Sequence, residues 1–472
     1  MRMQTVLVGL ILGSWVAAGA RAAVASEELY RETWRPQFHF TAQKNWLNDP
    51  NGLVFYKGEY HLFFQHNPKG IKWGNMTWGH AVSTDLVRWM QLADAIEPDD
   101  LGTIFSGSAV VDFGNTAGFQ KGDEQTLVCI YTSAGKPFTQ SIAYSTDRGR
   151  TFTKYEKNPV LGHIVGSNRD PKVVWHAPTK QWIMALFKDK NDFGFFSSPD
   201  LKVWTHLHDI TAAGCGECPD FFEMPVDGDR QKTRWVWTAA NGQYLVGTFD
   251  GKKFTPQGGP HRVDWGGNFY AVQTFSDIPE ADGRRIQIAW MRGGQYPRMP
   301  FNQQMSFPCV LTLNKDPAEG IRMCRMPVKE IETLYAREHK WEGAALKPGE
   351  NPLAGLSGDL FDIHADLELG DAAEVGLKVR GEAVAYNVKD RKLSCLGKSA
   401  ALEPAPGNRL ALRVLLDRTS LEVFGNDGRV SMTSCFLPKP EEKSLEIYAA
   451  GGAARIVSLK VYELRPAWPA AK

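Results

Sequence analysis

The sequence lacks the features of a nucleic-acid binder or a membrane protein. Lysine and arginine together number 54 and aspartate and glutamate 53, so the formal net charge of the 472-residue chain is only +1. This balance argues against a nucleic-acid partner and against a polybasic membrane-surface protein. No segment after the N-terminal one offers 18 uninterrupted apolar residues, so we expect no membrane span once that segment is removed.

Cysteine is also scarce. Seven cysteines in so long a chain do not make a disulfide framework, although one or two bridges remain open in an oxidising compartment. Cys215 and Cys218 have the spacing of half a zinc site. No second pair of cysteines or histidines completes that site, so we expect no metal.

Residues 1–25 have the pattern of a secretory signal peptide. Arg2 precedes an apolar run over residues 6–18, and small residues then fit an A-x-A cleavage site. An uncleaved anchor is the alternative, but the run is short for a spanning helix. We therefore expect an exported protein, periplasmic or extracellular. The sequence does not indicate its oligomeric state.

Glycine, proline and aromatic residues are plentiful, with 45 Gly, 27 Pro and 11% aromatic side chains, and this composition favours many short strands joined by turns. Five similar strand-like segments recur, at residues 59–65, 126–132, 181–187, 234–240 and 285–291. Their spacing of about 50–65 residues is that of four-stranded propeller blades. The repeat therefore predicts a five-bladed β-propeller over residues 33–325, with an ordinary β-sandwich as the alternative.

A second motif recurs in step with these segments. An aspartate is followed, four or five residues later, by an aromatic residue, in the segments 85–89, 147–152, 200–204 and 250–254. We interpret these as hairpin turns that lead into an outer strand, with the aromatic ring packed between neighbouring blades.

The pattern changes after residue 325. Residues 326–356 contain a stretch with helical character and a segment with glycine and proline, and we interpret them as a linker. Residues 357–472 contain seven short alternating segments separated by turns, which predict a β-sandwich. The fold class we predict is thus all-β, a five-bladed β-propeller followed by a C-terminal β-sandwich.

Acidic motifs open the strand that precedes the apolar segment in three of the repeats. Asp49 lies in WLNDPNG, Asp170 in NRDP and Glu217 in ECPD. Equivalent positions of successive blades converge at one end of the central channel, so the three carboxylates are expected in one funnel. Crowded, partly desolvated carboxylates have split pKa values, which suits glycoside hydrolysis with one acid and one nucleophile. The structural alternatives are a plain turn, an ion pair with Arg169 and a solvated surface residue.

Side chains that suit sugar binding flank these carboxylates. Aromatic rings stack on the apolar faces of sugars, and amide, hydroxyl and guanidinium groups form hydrogen bonds with sugar hydroxyls. The predicted substrate-binding residues are Asn48, Gln65, Trp73, Phe105, Ser106, Arg169 and Trp290.

The motifs WLNDPNG, FSGS, RDP and ECP, in this order and spacing, resemble glycoside hydrolase family 32, the family of invertases, inulinases and levanases. The resemblance extends over about residues 35–465 and includes the run LLDRTSLEVFGNDG. It implies a retaining double displacement on β-fructofuranosides without a metal or organic cofactor. It further implies that Asp49 is the nucleophile, Glu217 the general acid/base and Asp170 the transition-state stabiliser. Retention predicts that the carboxyl groups of Asp49 and Glu217 lie about 5–5.5 Å apart.

The resemblance implies release of terminal β-D-fructose from fructans such as levan or inulin, with sucrose as a further candidate substrate. The alternatives are an endo-acting levanase or inulinase, a non-catalytic carbohydrate-binding propeller and a pentosidase on a similar propeller. Gly267 and Asn268 depart from some relatives on the expected leaving-group side, which leaves the linkage preference open. The segment 299–308 resembles levanase- and inulinase-like bacterial members more than plant invertases.

Overall fold

The computed structural model describes residues 29–468. The predicted signal peptide, residues 1–25, lies outside the described residues. Between residues 29 and 468, regular structure consists of 33 strands and a single 3-10 helix, η1 (Lys329–Leu334). In this range no helix is long and apolar enough to cross a membrane.

The first two-thirds of the described chain form five antiparallel blades. The first two contain β1 (Asn45–Tyr56), β2 (Glu59–Asn67), β3 (Thr77–Ser83) and β4 (Met90–Gln91), then β5 (Thr103–Asp112), β6 (Thr126–Ala134), β7 (Thr139–Ser145) and β8 (Thr153–Lys154). The next two contain β9 (Arg169–His176), β10 (Gln181–Asp189), β11 (Asp192–Ser198) and β12 (Thr205–Thr211), then β13 (Asp220–Val226), β14 (Asp229–Thr238), β15 (Gln243–Phe249) and β16 (Phe254–Pro256). The remaining propeller strands are β17 (His261–Arg262), β18 (Tyr270–Thr274), β19 (Arg285–Trp290), β20 (Phe301–Asn302), β21 (Cys309–Asp316) and β22 (Gly320–Pro327), of which β18, β19, β21 and β22 form the fifth blade.

The innermost strands of the five blades form a closed ring. Contacts run from β1 to β5, from β5 to β9, from β9 to β13, from β13 to β18 and from β18 back to β1. The apolar segments found in the sequence are the second strands of the blades, and most of their side chains are buried. The predicted five-bladed propeller is therefore confirmed.

Aspartate-capped turns join the third strand to the fourth in the first four blades. Asp85 Oδ1 accepts the backbone N–H groups of Val87 and Arg88 at 3.0 and 2.7 Å. The same pattern of backbone bonds surrounds Asp147, Asp200 and Asp250. The predicted hairpin turns are confirmed, because a carboxylate that accepts two successive N–H groups fixes a tight turn.

The remaining strands form a two-sheet sandwich. They are β23 (Tyr335–Leu346), β24 (Phe361–Glu368), β25 (Glu374–Val379), β26 (Glu382–Asn387), β27 (Lys392–Cys395), β28 (Lys398–Ala401), β29 (Arg409–Asp417), β30 (Ser420–Gly425), β31 (Val430–Cys435), β32 (Leu445–Ala450) and β33 (Ala454–Leu464). One sheet has the order β23-β33-β24-β29-β30-β31 and the other β28-β27-β26-β25-β32. Aliphatic side chains such as Ile363, Leu377 and Ile447 fill the space between the sheets.

Two details of the predicted C-terminal half are wrong. The segment 326–356, interpreted as a linker, contains β23, which pairs with β33 along its whole length. Its side chains are mostly exposed, so it carries little of the hydrophobic alternation by which strands are recognised. The sandwich also has eleven strands instead of seven, because β23 lies in the supposed linker and the short strands β26, β27 and β28, of four to six residues, were missed.

A buried group of charges joins the two domains. His39 contacts Asp417 at 2.9 Å and Glu422 at 2.8 Å, and Arg325 contacts Glu422 at 3.1 Å and Asp264 at 3.0 Å. We call these five residues the interdomain ionic cluster. All five side chains are fully buried. The propeller provides three of them and the sandwich the two acidic residues of β29 and β30.

Candidate active site

A cavity of about 460 Å³ opens at the end of the propeller where the innermost strands begin. All ten residues singled out from the sequence line it, namely Asn48, Asp49, Gln65, Trp73, Phe105, Ser106, Arg169, Asp170, Glu217 and Trp290. Each blade contributes side chains to this lining because equivalent strand positions surround one axis. The volume is in the range typical of small-molecule sites.

Asp49 lies near the start of β1 and is held by two neighbouring donors. Ser106 Oγ donates to Asp49 Oδ2 at 2.5 Å, and Asn48 Nδ2 donates to Asp49 Oδ1 at 3.0 Å. Desolvation raises the pKa of Asp49 above its usual value and the charge of Glu217 adds to the rise, while these two hydrogen bonds oppose it. Hydrogen bonds that fix both oxygens aim the carboxylate into the cavity.

Asp170 lies at the start of β9 in the left-handed region of backbone space, with φ of 63°. Such a conformation in a non-glycine residue costs about 1–3 kcal/mol and is concentrated at functional sites. Asp170 Oδ2 accepts the backbone N–H of Cys218 at 3.1 Å and lies 3.6 Å from Arg169 Nε. Desolvation raises the pKa of Asp170 to about 7, the charges of Glu217 and Asp49 contribute to the rise, and the Arg169 charge opposes it.

Glu217 precedes β13 and remains partly open to solvent, with 28% of its side chain exposed. Arg169 donates to Glu217 Oε2 through Nε at 3.0 Å and also through Nη2. Tyr270 OH donates to Glu217 Oε1 at 2.8 Å. Both oxygens of Glu217 are thus held by groups different from those that hold Asp49.

Arg169 joins two of the three carboxylates. Besides Glu217 and Asp170, its guanidinium contacts Ser167 through Nη1, 2.8 Å from the backbone oxygen and 2.6 Å from Oγ. The guanidinium also stacks over the ring of Phe187 at 4.6 Å. The ion pair with Arg169 foreseen as an alternative for Asp170 is therefore present, and it lies inside the cavity.

Aromatic side chains form part of the cavity wall. The rings of Trp73 and Phe105 meet edge to face at 5.9 Å, and Phe105 meets Phe138 at 5.5 Å. Trp73 is 58% exposed, so much of its surface is free to contact a sugar. Trp290 is buried, and its Nε1 donates to Gln303 Oε1 at 3.0 Å.

Four lining residues were missed by reasoning from the sequence: Phe138, Ser167, Tyr270 and Arg292. Tyr270 opens the inner strand of the fifth blade, the same position at which the acidic motifs open theirs, so the repeat register could have identified it. Arg292 lies beyond the end of β19 and has no such signal.

The cysteines do not form a metal site or a bridge in the part of the chain described. All seven lie between residues 29 and 468 and are unpaired. Cys215 Sγ faces Gln243 Oε1 at 3.2 Å, whereas Cys218 Sγ lies 3.4 Å from Asp170 Oδ2. The two thiols therefore face different polar partners, and the half zinc site suggested by their spacing is not formed.

The propeller brings three carboxylates and an arginine together in one cavity with a partly aromatic wall. This arrangement defines a carbohydrate-active enzyme of the glycoside hydrolase class. The comparisons with known proteins give the family. Residues 39–324 match the glycosyl hydrolases family 32 N-terminal domain, and residues 330–463 match the glycosyl hydrolases family 32 C-terminal domain. The chain belongs to glycoside hydrolase family 32.

Relatives of known name support this assignment. The chain is 42% identical to a levanase of Bacillus subtilis, over 99% of this chain and 76% of that protein. It is 31% identical to an extracellular exo-inulinase of Aspergillus niger, over 96% of this chain and 98% of that protein. A fructofuranosidase from Schwanniomyces occidentalis, solved in complex with fructose, superposes with a TM-score of 0.84 at 30% identity, covering 93% of this chain and 99% of that one.

Proposed function

We propose that the protein is an exported, retaining, exo-acting β-fructofuranosidase that releases terminal fructose from levan or inulin and from sucrose. The observation that carries this proposal is the separate support of two carboxylates in one cavity. Asp49 accepts hydrogen bonds from Ser106 and Asn48, whereas Glu217 accepts them from Arg169 and Tyr270. A nucleophile and an acid/base need such different environments, because one must stay ionised while the other exchanges a proton.

In the first step an oxygen of Asp49 attacks the anomeric carbon of the terminal fructose. The glycosidic bond breaks, and Glu217 gives its proton to the departing oxygen, so a fructosyl ester of Asp49 remains. In the second step Glu217 removes a proton from water, which attacks the same carbon and restores the Asp49 carboxylate. The partial exposure of Glu217 fits this role, because a leaving group and then a water must reach it.

Asp170 suits the stabilisation of the charged transition state. Its carboxylate is fixed by the Cys218 N–H and by Arg169, so it needs little rearrangement as positive charge develops on the fructose ring. It takes part through charge and hydrogen bonding to the sugar and forms no covalent bond. The seven predicted binding residues surround the fructosyl unit in this proposal.

The substrate class rests on the relatives. Those with similar chains are named levanase, exo-inulinase and fructofuranosidase, and one of them is called extracellular. A neutral fructan also fits the near-zero net charge, since it offers no field to steer an enzyme. The extracellular relative and the signal-like pattern of residues 1–25 support export.

The test is the product profile of the purified protein on levan, inulin and sucrose, with arabinan and xylan as comparison substrates. Fructose as the single product from a fructan supports exo action, and a ladder of oligosaccharides supports the endo-acting alternative. No release of fructose from any of the three fructosides overturns the proposal. In methanol, a retaining enzyme transfers the fructosyl group with unchanged anomeric configuration, which tests the double displacement.

The variants Asp49→Asn and Glu217→Gln test the assigned roles. Each should reduce turnover to background, because neither amide can form the ester or exchange the proton. Glu223→Gln is a matched control, since Glu223 is an exposed carboxylate on β13 outside the cavity. Near-normal rates for either active-site variant would overturn the assignment.

A further inference from the structure

Arg292 is a charged lining residue of the cavity that the mechanism above does not use. It is exposed, and its guanidinium lies over the ring of Tyr270 at 4.7 Å and near that of Trp290 at 5.9 Å. Among the residues the structure describes, its N–H groups have no hydrogen-bond or ion-pair partner. Arg169, in contrast, donates to Glu217 or Ser167 through each of its three side-chain nitrogens. Arg292 is thus free to bind a ligand.

The position of Arg292 indicates which part of a ligand it would meet. Tyr270 OH donates to Glu217, and Arg292 stacks on the same tyrosine ring. A proton donor contacts the leaving oxygen, so residues next to Glu217 and open to solvent face the group that departs. Arg292 therefore lies on the leaving-group side of the cavity.

The backbone of Arg292 is anchored to the sandwich through one side chain. Asn268 Nδ2 donates to the Arg292 carbonyl oxygen at 2.6 Å, and Asn268 Oδ1 accepts the backbone N–H of Cys435 at 2.8 Å. The backbone N–H of Asn268 also donates to Thr433 O at 3.0 Å. A Cβ on Gly266 would lie only 2.1 Å from that same oxygen, so glycine permits this close approach of the two domains.

We propose that Arg292 binds hydroxyl groups of the sugar unit attached to the terminal fructose, and that Asn268 is its positioning residue. The inference rests on the proposed function and deepens it by naming a determinant of leaving-group recognition. A guanidinium offers five N–H donors in a fixed plane, which suits paired hydroxyls of a pyranose or furanose ring. Stacking on Tyr270 fixes that plane before the ligand binds.

The test compares two β-fructofuranosides that differ only in the leaving group. The leaving group of sucrose is a second sugar with several hydroxyls. The leaving group of methyl β-D-fructofuranoside is methanol, which offers Arg292 no second sugar. Arg292→Met keeps a long unbranched side chain and removes every donor. We expect the ratio of kcat/KM for sucrose to kcat/KM for the methyl glycoside to fall about 10- to 100-fold, the range for a lost charged hydrogen bond. Arg298→Met is the matched control, since Arg298 is exposed in the same loop but does not line the cavity.

Each outcome decides the matter. An unchanged ratio between the two substrates overturns the inference. This includes an equal loss on both, which would mean that Arg292 acts through Tyr270 and Glu217. If wild-type protein releases fructose from none of levan, inulin, sucrose and the methyl glycoside, the proposed function fails instead. Asn268→Ala should also lower the ratio of kcat/KM for sucrose to that for the methyl glycoside, by a smaller factor than Arg292→Met does. The loss should come chiefly from a raised KM for sucrose. A matching loss on the methyl glycoside would refute the positioning role of Asn268.

Discussion

Replacement of Glu422 by glutamine should destabilise the whole molecule, because Glu422 is the carboxylate that joins both cations of the interdomain ionic cluster. Its Oε1 accepts from Arg325 Nη2 at 3.1 Å and from Thr433 Oγ1 at 3.0 Å. Its Oε2 accepts from the backbone N–H of Phe307 at 2.9 Å and contacts His39 Nε2 at 2.8 Å. A glutamine side chain has one oxygen and one N–H₂ group in place of the two carboxylate oxygens. Its N–H₂ group would therefore face donors and could not accept their hydrogen bonds.

The size of the effect follows from the burial of these groups. Loss of one partner from a buried ion pair costs about 3–5 kcal/mol, since the remaining charge is left uncompensated. The pKa of His39 gives an independent scale. Burial alone would lower it, but hydrogen bonds with Asp417 and Glu422 outweigh burial and raise it from 6.5 to about 9. That rise corresponds to a net stabilisation of the charged imidazolium by about 3 kcal/mol, after the cost of burial has been met.

The stabilisation should depend on pH in a defined window. His39 has a raised pKa, so its contribution is fully present below its usual pKa of 6.5 and is lost as the pH rises through about 9. Desolvation acts to raise the pKa of Glu422, but His39 and Arg325 together lower it to about 2. Its contribution is therefore present above the usual 4.5 and is lost as the pH falls through about 2.

The assay is guanidinium unfolding followed by tryptophan fluorescence at pH 7, repeated at pH 10. We expect the Glu422→Gln variant to lose about 3–5 kcal/mol at pH 7 and less at pH 10, where His39 is neutral in the wild type. Glu446→Gln, which breaks the exposed pair with Lys378, is the control and should cost less than about 1 kcal/mol. A Glu422→Gln variant as stable as this control would refute the reasoning.

Three further predictions concern activity and domain integrity. Ser106→Ala removes a hydrogen bond that favours the ionised form of Asp49, so the pKa of Asp49 should rise and the acidic limb of the kcat/KM profile should move to higher pH; an unmoved limb would contradict this. Asp170→Asn should reduce kcat/KM on sucrose by about 100-fold or more, and its pH profile should lack the titration that burial, by raising the pKa of Asp170 to about 7, predicts for the wild type. Deletion of residues 340–472 removes both acidic partners of His39 and should yield insoluble or unstable protein; a soluble, fully active truncation would count against it.

The propeller could be predicted because an apolar segment recurs at similar intervals along the chain, once in each blade. The apolar segment in each second strand buries most of its side chains, and five such segments at similar intervals leave few other folds. The convergence of Asp49, Asp170 and Glu217 on one cavity follows from the same register. Their catalytic roles remain predictions that the variants above test.

The interdomain ionic cluster could not be predicted from the pattern of its own strand. In β30, Leu421 and Val423 alternate with Glu422 and pack into the sandwich core. Alternation of this kind normally places the polar residue in solvent. Here the second face of the sheet is covered by the propeller, so Glu422 is buried against Arg325. Only the arrangement of the two domains contains that information.

The sandwich contacts the active site through one short segment, residues 264–270. Asp264 belongs to the interdomain ionic cluster and accepts the backbone N–H of Thr433 on β31 at 3.1 Å. Six residues later, Tyr270 donates to Glu217. Because the segment between them is bonded to β31 at several points, the docked sandwich fixes the start of β18 and with it the hydrogen bond to the proposed acid/base. Packing of the two domains and positioning of the reacting groups are therefore parts of the same set of contacts.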